Sequence, residues 1–169
     1  MTVGFRPLTE PDLHLLHEWL QREHVKRWWN DRETYAEAVE HYLPSIEGRD
    51  PTDLYLILDD GEPAGFIQTY ALADYPDYRD LVGGEDGVAG VDLFIAQEER
   101  TGHGLGSEAL RMFVEEIVFS DPGTQACIAD PDAENVASLR AFEKAGFAAA
   151  GEFVDPSDRR VHTLMRRDR

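Results

Sequence analysis

Cysteine is nearly absent from this chain: Cys127 is the one cysteine in 169 residues. A lone thiol excludes an intrachain disulfide framework and a cysteine-built metal site. Set in Gln125-Ala126-Cys127-Ile128, it reads as a small buried hydrophobe rather than a nucleophile. Basic residues are also scarce, 16 Lys and Arg against 34 Asp and Glu, for a formal net charge of −18. That balance excludes nucleic acid as a natural partner, because a phosphate backbone requires a basic footprint. It suits a cationic small molecule or a basic peptide, although acidity also serves solubility alone. No apolar run is long enough to span a membrane. Met1-Thr2-Val3-Gly4-Phe5-Arg6 shows no basic stretch leading into a signal-type segment, so a cytoplasmic location is expected. The histidines show no metal-site spacing; a surface role suffices for His162 and the others, and no metal is expected. Repeats, linkers and low-complexity tracts are lacking too, so residues 1–169 read as a single domain, with 42% hydrophobic residues to build its core.

What is present centres on Glu99-Arg100-Thr101-Gly102-His103-Gly104-Leu105-Gly106-Ser107. This loop follows a strand-like run, Gly90 to Ala96. A helical pattern succeeds it, with Leu105, Ala109, Leu110, Phe113, Val114, Ile117 and Val118 on one face. Strand, glycine loop and helix start form an arrangement that binds phosphate, because glycine admits the anion to the backbone and first-turn amides lack helical partners. The Lys-Ser/Thr of a P-loop and the G-x-G-x-x-G of a dinucleotide fold are both missing. A tight strand-to-helix turn explains three alternating glycines equally well.

Around this loop the periodicities predict a strand over 2–7 and a helix capped by Thr9 with Asp12 reaching back. A second helix is expected from Glu33 to Leu43, ending at Pro44, and a hairpin over 54–71 turning at Asp59-Asp60-Gly61-Glu62. An acidic loop over Asp74–Asp86 follows. Then come strands near 88–96, 125–129, 147–154 and 160–166, with helices near 105–118 and 133–145, the latter capped by Asp132 and stopped by Gly146. The order β-α-α-β-β-β-α-β-α-β-β implies an α/β fold, a mixed sheet flanked by helices.

This order, with the glycine loop and Asn135-Val136-Ala137-Ser138-Leu139-Arg140-Ala141-Phe142-Glu143-Lys144-Ala145-Gly146-Phe147, resembles the GCN5-related N-acetyltransferase (GNAT) family. The resemblance implies the acyl-CoA N-acyltransferase fold and acetyl-coenzyme A as acyl donor. It places the diphosphate on Arg100, Thr101, Gly102, His103, Gly104, Leu105, Gly106 and Ser107. The pantetheine arm lies beside Asn135, Ser138, Phe142 and Lys144, and the main chain of Leu93, Phe94 and Ile95 supplies the oxyanion donors. Closer features resemble the aminoglycoside 6′-N-acetyltransferase branch: Trp28-Trp29, Tyr42-Leu43-Pro44-Ser45, Gly61 to Gln68, Gly90-Val91-Asp92 and Asp130-Pro131. Acyltransferases acting on hydroxylated lysine in siderophore synthesis share much of this pattern. Two positions depart from the family. Thr101 stands where many members carry Arg or Gln, and Phe142 replaces the tyrosine that often protonates the departing thiolate; water, another hydroxyl such as Ser138, or no dedicated acid serves in its place.

Acetyl transfer to an amine needs a neutral nucleophile, and an alkylammonium of pKa ~10.4 gives up ~4.6 kcal/mol to be neutral at pH 7. Asp92 is the candidate that steers the cation and takes its proton. It alternates with Val91, Leu93 and Ile95 and so shares a strand face with Phe94. The bland alternative is an ion pair with Arg140 or Arg111. Asp130 binds a second ammonium or merely caps the next helix. Trp28, Trp29 and Tyr42 form an aromatic wall for the acceptor, or core packing. Asp77, Asp80 and Glu85 add acid near it or are simply solvated. The expected activity is acetylation of an aminoglycoside by direct attack, by a monomer or homodimer. The alternatives are acylation of hydroxylated lysine, a polyamine or a protein N-terminus, and a non-enzymatic acyl-CoA sensor.

Overall fold

In the computed structural model, which describes residues 1–29 and 32–169, the periodicities resolve into thirteen regular elements. These are β1 (Val3–Pro7), α1 (Leu13–Leu20), α2 (Glu23–Lys26), α3 (Tyr35–Ile46), β2 (Asp53–Asp59), β3 (Glu62–Ala71), α4 (Pro76–Val82), β4 (Val88–Ile95), α5 (Leu105–Glu116), β5 (Ala126–Ala129), α6 (Val136–Lys144), β6 (Ala148–Val154) and β7 (Val161–Asp168). Short 3₁₀ turns link several of them. The strands form one seven-stranded sheet in the order β1-β2-β3-β4-β5-β7-β6. Among the described residues β4 and β5 are the parallel pair, and the other neighbours run antiparallel.

Local chemistry explains the starts and turns. The Thr9 amide donates to Asp12 Oδ2 at 2.8 Å, and Arg6 pairs with the same carboxylate at 2.8 Å, which anchors the entry to α1. The β2–β3 turn places Asp60 at φ 51° and Gly61 at φ 84°, the two left-handed positions that match hairpin twist. The helices cover the sheet on both faces. On one, Phe113, Leu110 and Val114 of α5 and Phe142 of α6 pack against Val91 and Ile95. On the other, Leu13, Leu16, Trp19 and Leu20 of α1 and Tyr42 of α3 pack against Leu56 and Phe66, with Phe94 at the margin. Each large side chain so buried contributes about 1.5–3 kcal/mol.

Three expectations are corrected. Residues 74–86 are not a loop: Pro76 opens α4 at its first helical position and Gly83, at φ 66°, closes it in the left-handed region. α3 does not end at Pro44 but continues to Ile46. The proline removes one helical amide, and Glu40, whose carbonyl loses that bond, is exposed, so no buried group is orphaned. The cap of α6 is Asn135, whose side chain accepts the Ser138 amide at 3.2 Å; Asp132 instead bridges to His162.

The feature that positions the site is a split. β4 pairs with β5 only through Val88–Gly90 and Ala126–Ile128; beyond Gly90, β4 continues to Ile95 without that neighbour.

Candidate active site

At the end of β4 the chain makes a 3₁₀ turn and then the glycine loop. Gly102 and Gly104 have φ of 77° and 87°, and a Cβ at either position would meet no heavy atom within 4 Å. The loop is therefore open, and its glycines are required by backbone conformation as well as by access. Gly104 caps α5, so the amides of Leu105, Gly106 and Ser107 occupy the first turn and have no intrahelical acceptor. Thr101 and His103 are exposed, whereas the Leu105 side chain is buried in the core, leaving only its amide for a ligand. Arg100, expected beside the phosphates, is paired with Asp59 Oδ2 at 3.2 Å.

The split exposes an edge of β4. The Ala96 amide donates to Ala64 O at 2.8 Å, so by antiparallel alternation Phe94 and Asp92 exchange main-chain bonds with β3. The main-chain groups of Leu93 and Ile95 face the opposite edge, where β5 has ended; His24 Nε2 meets the Ile95 carbonyl there at 2.9 Å. An extended chain can add to such an edge as a strand would. Asn135 caps α6, and Ser138 and exposed Lys144 lie on it. Phe142 turns inward, 3% exposed, with its ring edge-on to Phe147. A phenyl ring in that position has no proton to give.

On the face opposite α5, Asp92 lies beside its cross-strand partner Gln68, whose Nε2 donates to Asp92 Oδ2 at 3.0 Å. Neither Arg111, which pairs with Glu108 and Glu115, nor exposed Arg140 is placed with it. Asp92 is shared by two adjoining hollows. One, of about 330 Å³, is lined by Tyr42, Asp50, Gln68, Tyr70, Tyr75 and Tyr78 among others. The second, of about 360 Å³, brings in Trp28, Trp29, Asp130, Asp155, Asp158 and His162. Trp29 packs edge-on to Phe94 and Phe66, at 5.1 and 5.8 Å between centroids, so it is both core and wall. The Trp28 ring takes the guanidinium of Arg160 at 5.6 Å, and Tyr42 is buried with His41 stacked on it at 4.1 Å.

Asp130 is brought to this cleft and does not cap α6. Its Oδ1 accepts from the Tyr78 hydroxyl at 2.6 Å and its Oδ2 from His162 Nδ1 at 3.1 Å. His162 is not a surface histidine; its side chain is 12% exposed, and hydrogen bonding to Asp130 and then to Asp158, opposed by burial, raises its pKa from 6.5 to about 10. Asp155 and Asp158 come from the β6–β7 turn and join two groups that share His162, Asp130–Asp155–His162 and Asp132–Asp158–His162, each with its ligand-type atoms within 4.8 Å of one another. His162 forms ion pairs within this group, its Nδ1 3.1 Å from Asp130 Oδ2 and its Nε2 2.8 Å from Asp158 Oδ2. Sequence reading missed His162, Asp155 and Asp158, and also Tyr70, Tyr75, Tyr78 and Gln68. Of the acids in the 74–86 segment, Glu85 pairs with Arg166 at 2.8 Å, and Tyr75, just before α4, and Tyr78 within it line the cleft where Asp77 and Asp80 do not.

A split mixed sheet, an open glycine loop at a helix start and an acidic aromatic cleft on the other face define a class, the transferases that move an acyl group from a phosphate-bearing carrier to an amine. The chain belongs to the GNAT acetyltransferase family, whose domain matches residues 9–155. An aminoglycoside N(6′)-acetyltransferase type 1 from Klebsiella pneumoniae is 34% identical, the alignment covering 98% of this chain and 84% of that protein. A lysine N-acyltransferase from Mycobacterium tuberculosis is 26% identical over 94% of this chain and 74% of its own length. Among solved structures, an aminoglycoside acetyltransferase AAC(6′)-Ib in complex with coenzyme A and kanamycin superposes with a TM-score of 0.84 at 33% identity, covering 99% of this chain and 95% of that one.

Proposed function

We propose that this protein is an acetyl-coenzyme A-dependent aminoglycoside 6′-N-acetyltransferase. The observation that carries the proposal is the cleft: Asp92, Asp130, Asp155 and Asp158 line a hollow walled by Trp28, Trp29 and Tyr42. Several fixed carboxylates beside aromatic faces suit a rigid ring system bearing several ammonium groups. A small monoamine would engage one carboxylate and leave the rest idle. The relatives that act on aminoglycosides point the same way.

The donor side fits the same reading. Gly102 and Gly104 leave the loop open, the amides of Leu105, Gly106 and Ser107 point outward at the start of α5, and the β4 edge accepts an extended arm. Coenzyme A supplies the activated acetyl thioester. Asp92 draws in the acceptor ammonium and receives its proton, directly or through water, which frees the amine lone pair for attack. The amides on the open edge at Leu93 and Ile95 donate to the oxyanion of the tetrahedral adduct. Solvent returns a proton to the thiolate, since Phe142 has none.

Free-thiol release on incubation with acetyl-coenzyme A and kanamycin tests the reading, with mass spectrometry and NMR locating the new amide at the 6′ nitrogen. Spermidine and Nε-hydroxylysine serve as competitors. Turnover on these with none on any aminoglycoside would overturn the assignment and leave the family unaffected.

A further inference from the structure

His162 stands on β7 where three carboxylates from two segments converge. Nδ1 lies 2.7 Å from the Asp130 carbonyl and 3.1 Å from its Oδ2, and Nε2 lies 2.8 Å from Asp158 Oδ2 and 3.9 Å from Asp155 Oδ2. Both ring nitrogens therefore face atoms that only accept, and only the imidazolium satisfies both. The nearby guanidinium is committed elsewhere: Arg160 pairs with Asp132 at 2.5 Å and with Glu134 at 2.7 Å. From α4, Tyr78 holds the other oxygen of Asp130 at 2.6 Å. Within the turn, Asp155 Oδ1 takes the Ser157 amide at 2.8 Å, and Asp158 Oδ1 takes the Arg160 amide at 2.9 Å. Each carboxylate is thus held on one oxygen, Asp130 from α4 and the other two from within their own turn, and with its other oxygen faces a single shared ring.

We propose that His162 is a positioning residue of the acceptor site, an imidazolium that ties the end of β5 to the β6–β7 turn and so fixes Asp130, Asp155 and Asp158 as a wall for a polycationic acceptor. The proposal rests on the assignment of this cleft to an aminoglycoside. Removing the ring has two opposed effects. The wall becomes more negative, which attracts a polycation. Three unshielded carboxylates then repel one another and the turn loses its tie to Asp130. The second effect dominates: one unit on a molecule of net charge −18 alters the long-range field little, whereas loss of the tie disorders every outer contact of the acceptor. Asp92, outside this cluster, keeps its Gln68 contact and its chemistry.

His162→Gln keeps a donor of similar reach and removes the charge. It is expected to raise the KM for kanamycin about tenfold, with kcat, the KM for acetyl-coenzyme A and the KM for a short monoamine each within about twofold. Asp158→Asn weakens the same link from the turn and should move the kanamycin KM in the same direction, by less. A folded His162→Gln enzyme whose kanamycin KM is unchanged or lower overturns the proposal. If that variant does not fold, an unchanged or lower kanamycin KM in Asp158→Asn overturns it instead. An independent readout is the NMR titration of the His162 ring, expected at about 10 in the wild type and lower in Asp158→Asn. If the wild type acetylates no aminoglycoside, the assigned function fails. The titration still decides the clamp, because a ring titrating near 6.5 refutes it.

Discussion

Asp92 shows how one side chain acquires a role from its strand neighbours. It follows Val91, whose side chain is buried under α5, and by alternation emerges on the other face beside Gln68. The amide donor fixes the orientation of that carboxylate, and under the proposed reaction it is the group that meets the incoming ammonium. Replacing it with Asn preserves the size and the contact to Gln68 and removes only the basicity. Asp92→Asn should lower kcat about 10²–10⁴-fold while the KM for acetyl-coenzyme A stays within about twofold, as read by steady-state thiol release. Equal losses in both constants would mark Asp92 as structural. The position of this residue was legible in the sequence, because the alternation of β4 sets Asp92 on the face opposite Val91. His162 was not: an alternating position on a terminal strand says nothing of the turn and loop that fold over it, and its partners lie 32 and 4 residues away.

Local rules worked best where one element carries its own start and stop signals. The glycine loop, the Thr9–Asp12 cap and the Asp60-Gly61 turn all depend on neighbours within a few residues. The 74–86 segment had such signals too, Pro76 and Gly83, but only seven helical residues between them and too few apolar positions to show a period. Its tyrosines consequently went unread as cleft lining. Two substitutions test elements rather than single contacts. Gly104 sits at φ 87° at the cap of α5, so Gly104→Val combines backbone strain with a branched side chain over the first-turn amides. It should raise the KM for acetyl-coenzyme A at least about tenfold with a smaller change in kcat; an unchanged constant would contradict a diphosphate at this loop. Gly90 pairs with Tyr70 across β3 and β4, and a Cβ there would lie 2.4 Å from the Tyr70 ring. Gly90→Ala must therefore push the tyrosine off the strand, at about 1–3 kcal/mol by chemical denaturation, and distort the hollow it lines.

At the scale of the whole molecule the charge of −18 acts oppositely on the two substrates, attracting a polycation and repelling an anionic carrier. Raising ionic strength from about 0.05 to 0.5 M shortens the screening length several-fold, so the KM for kanamycin should rise while that for acetyl-coenzyme A does not. The same surplus of carboxylates makes stability depend on the few cations that order them. Below neutrality the anchor is Asp12: the hydrogen bond from Arg6 holds its pKa down at about 2, from 3.8. The unfolded chain binds that proton more readily, so this contribution is present above pH 3.8 and is lost as pH falls toward 2. At the alkaline end the anchor is His162, with the opposite sign. Its folded pKa of about 10 exceeds the ordinary 6.5, so the folded state holds the extra proton; the stabilisation is complete below 6.5 and is lost as pH rises through 10. Burial also pushes up the Tyr70 and Tyr78 hydroxyls and the Cys127 thiol, in wild type and variant alike. The difference in melting temperature between wild type and His162→Gln cancels them. It should be largest near pH 6 and shrink steadily to a small value above pH 10, and a difference independent of pH would mean that the ring stabilises the fold without its charge.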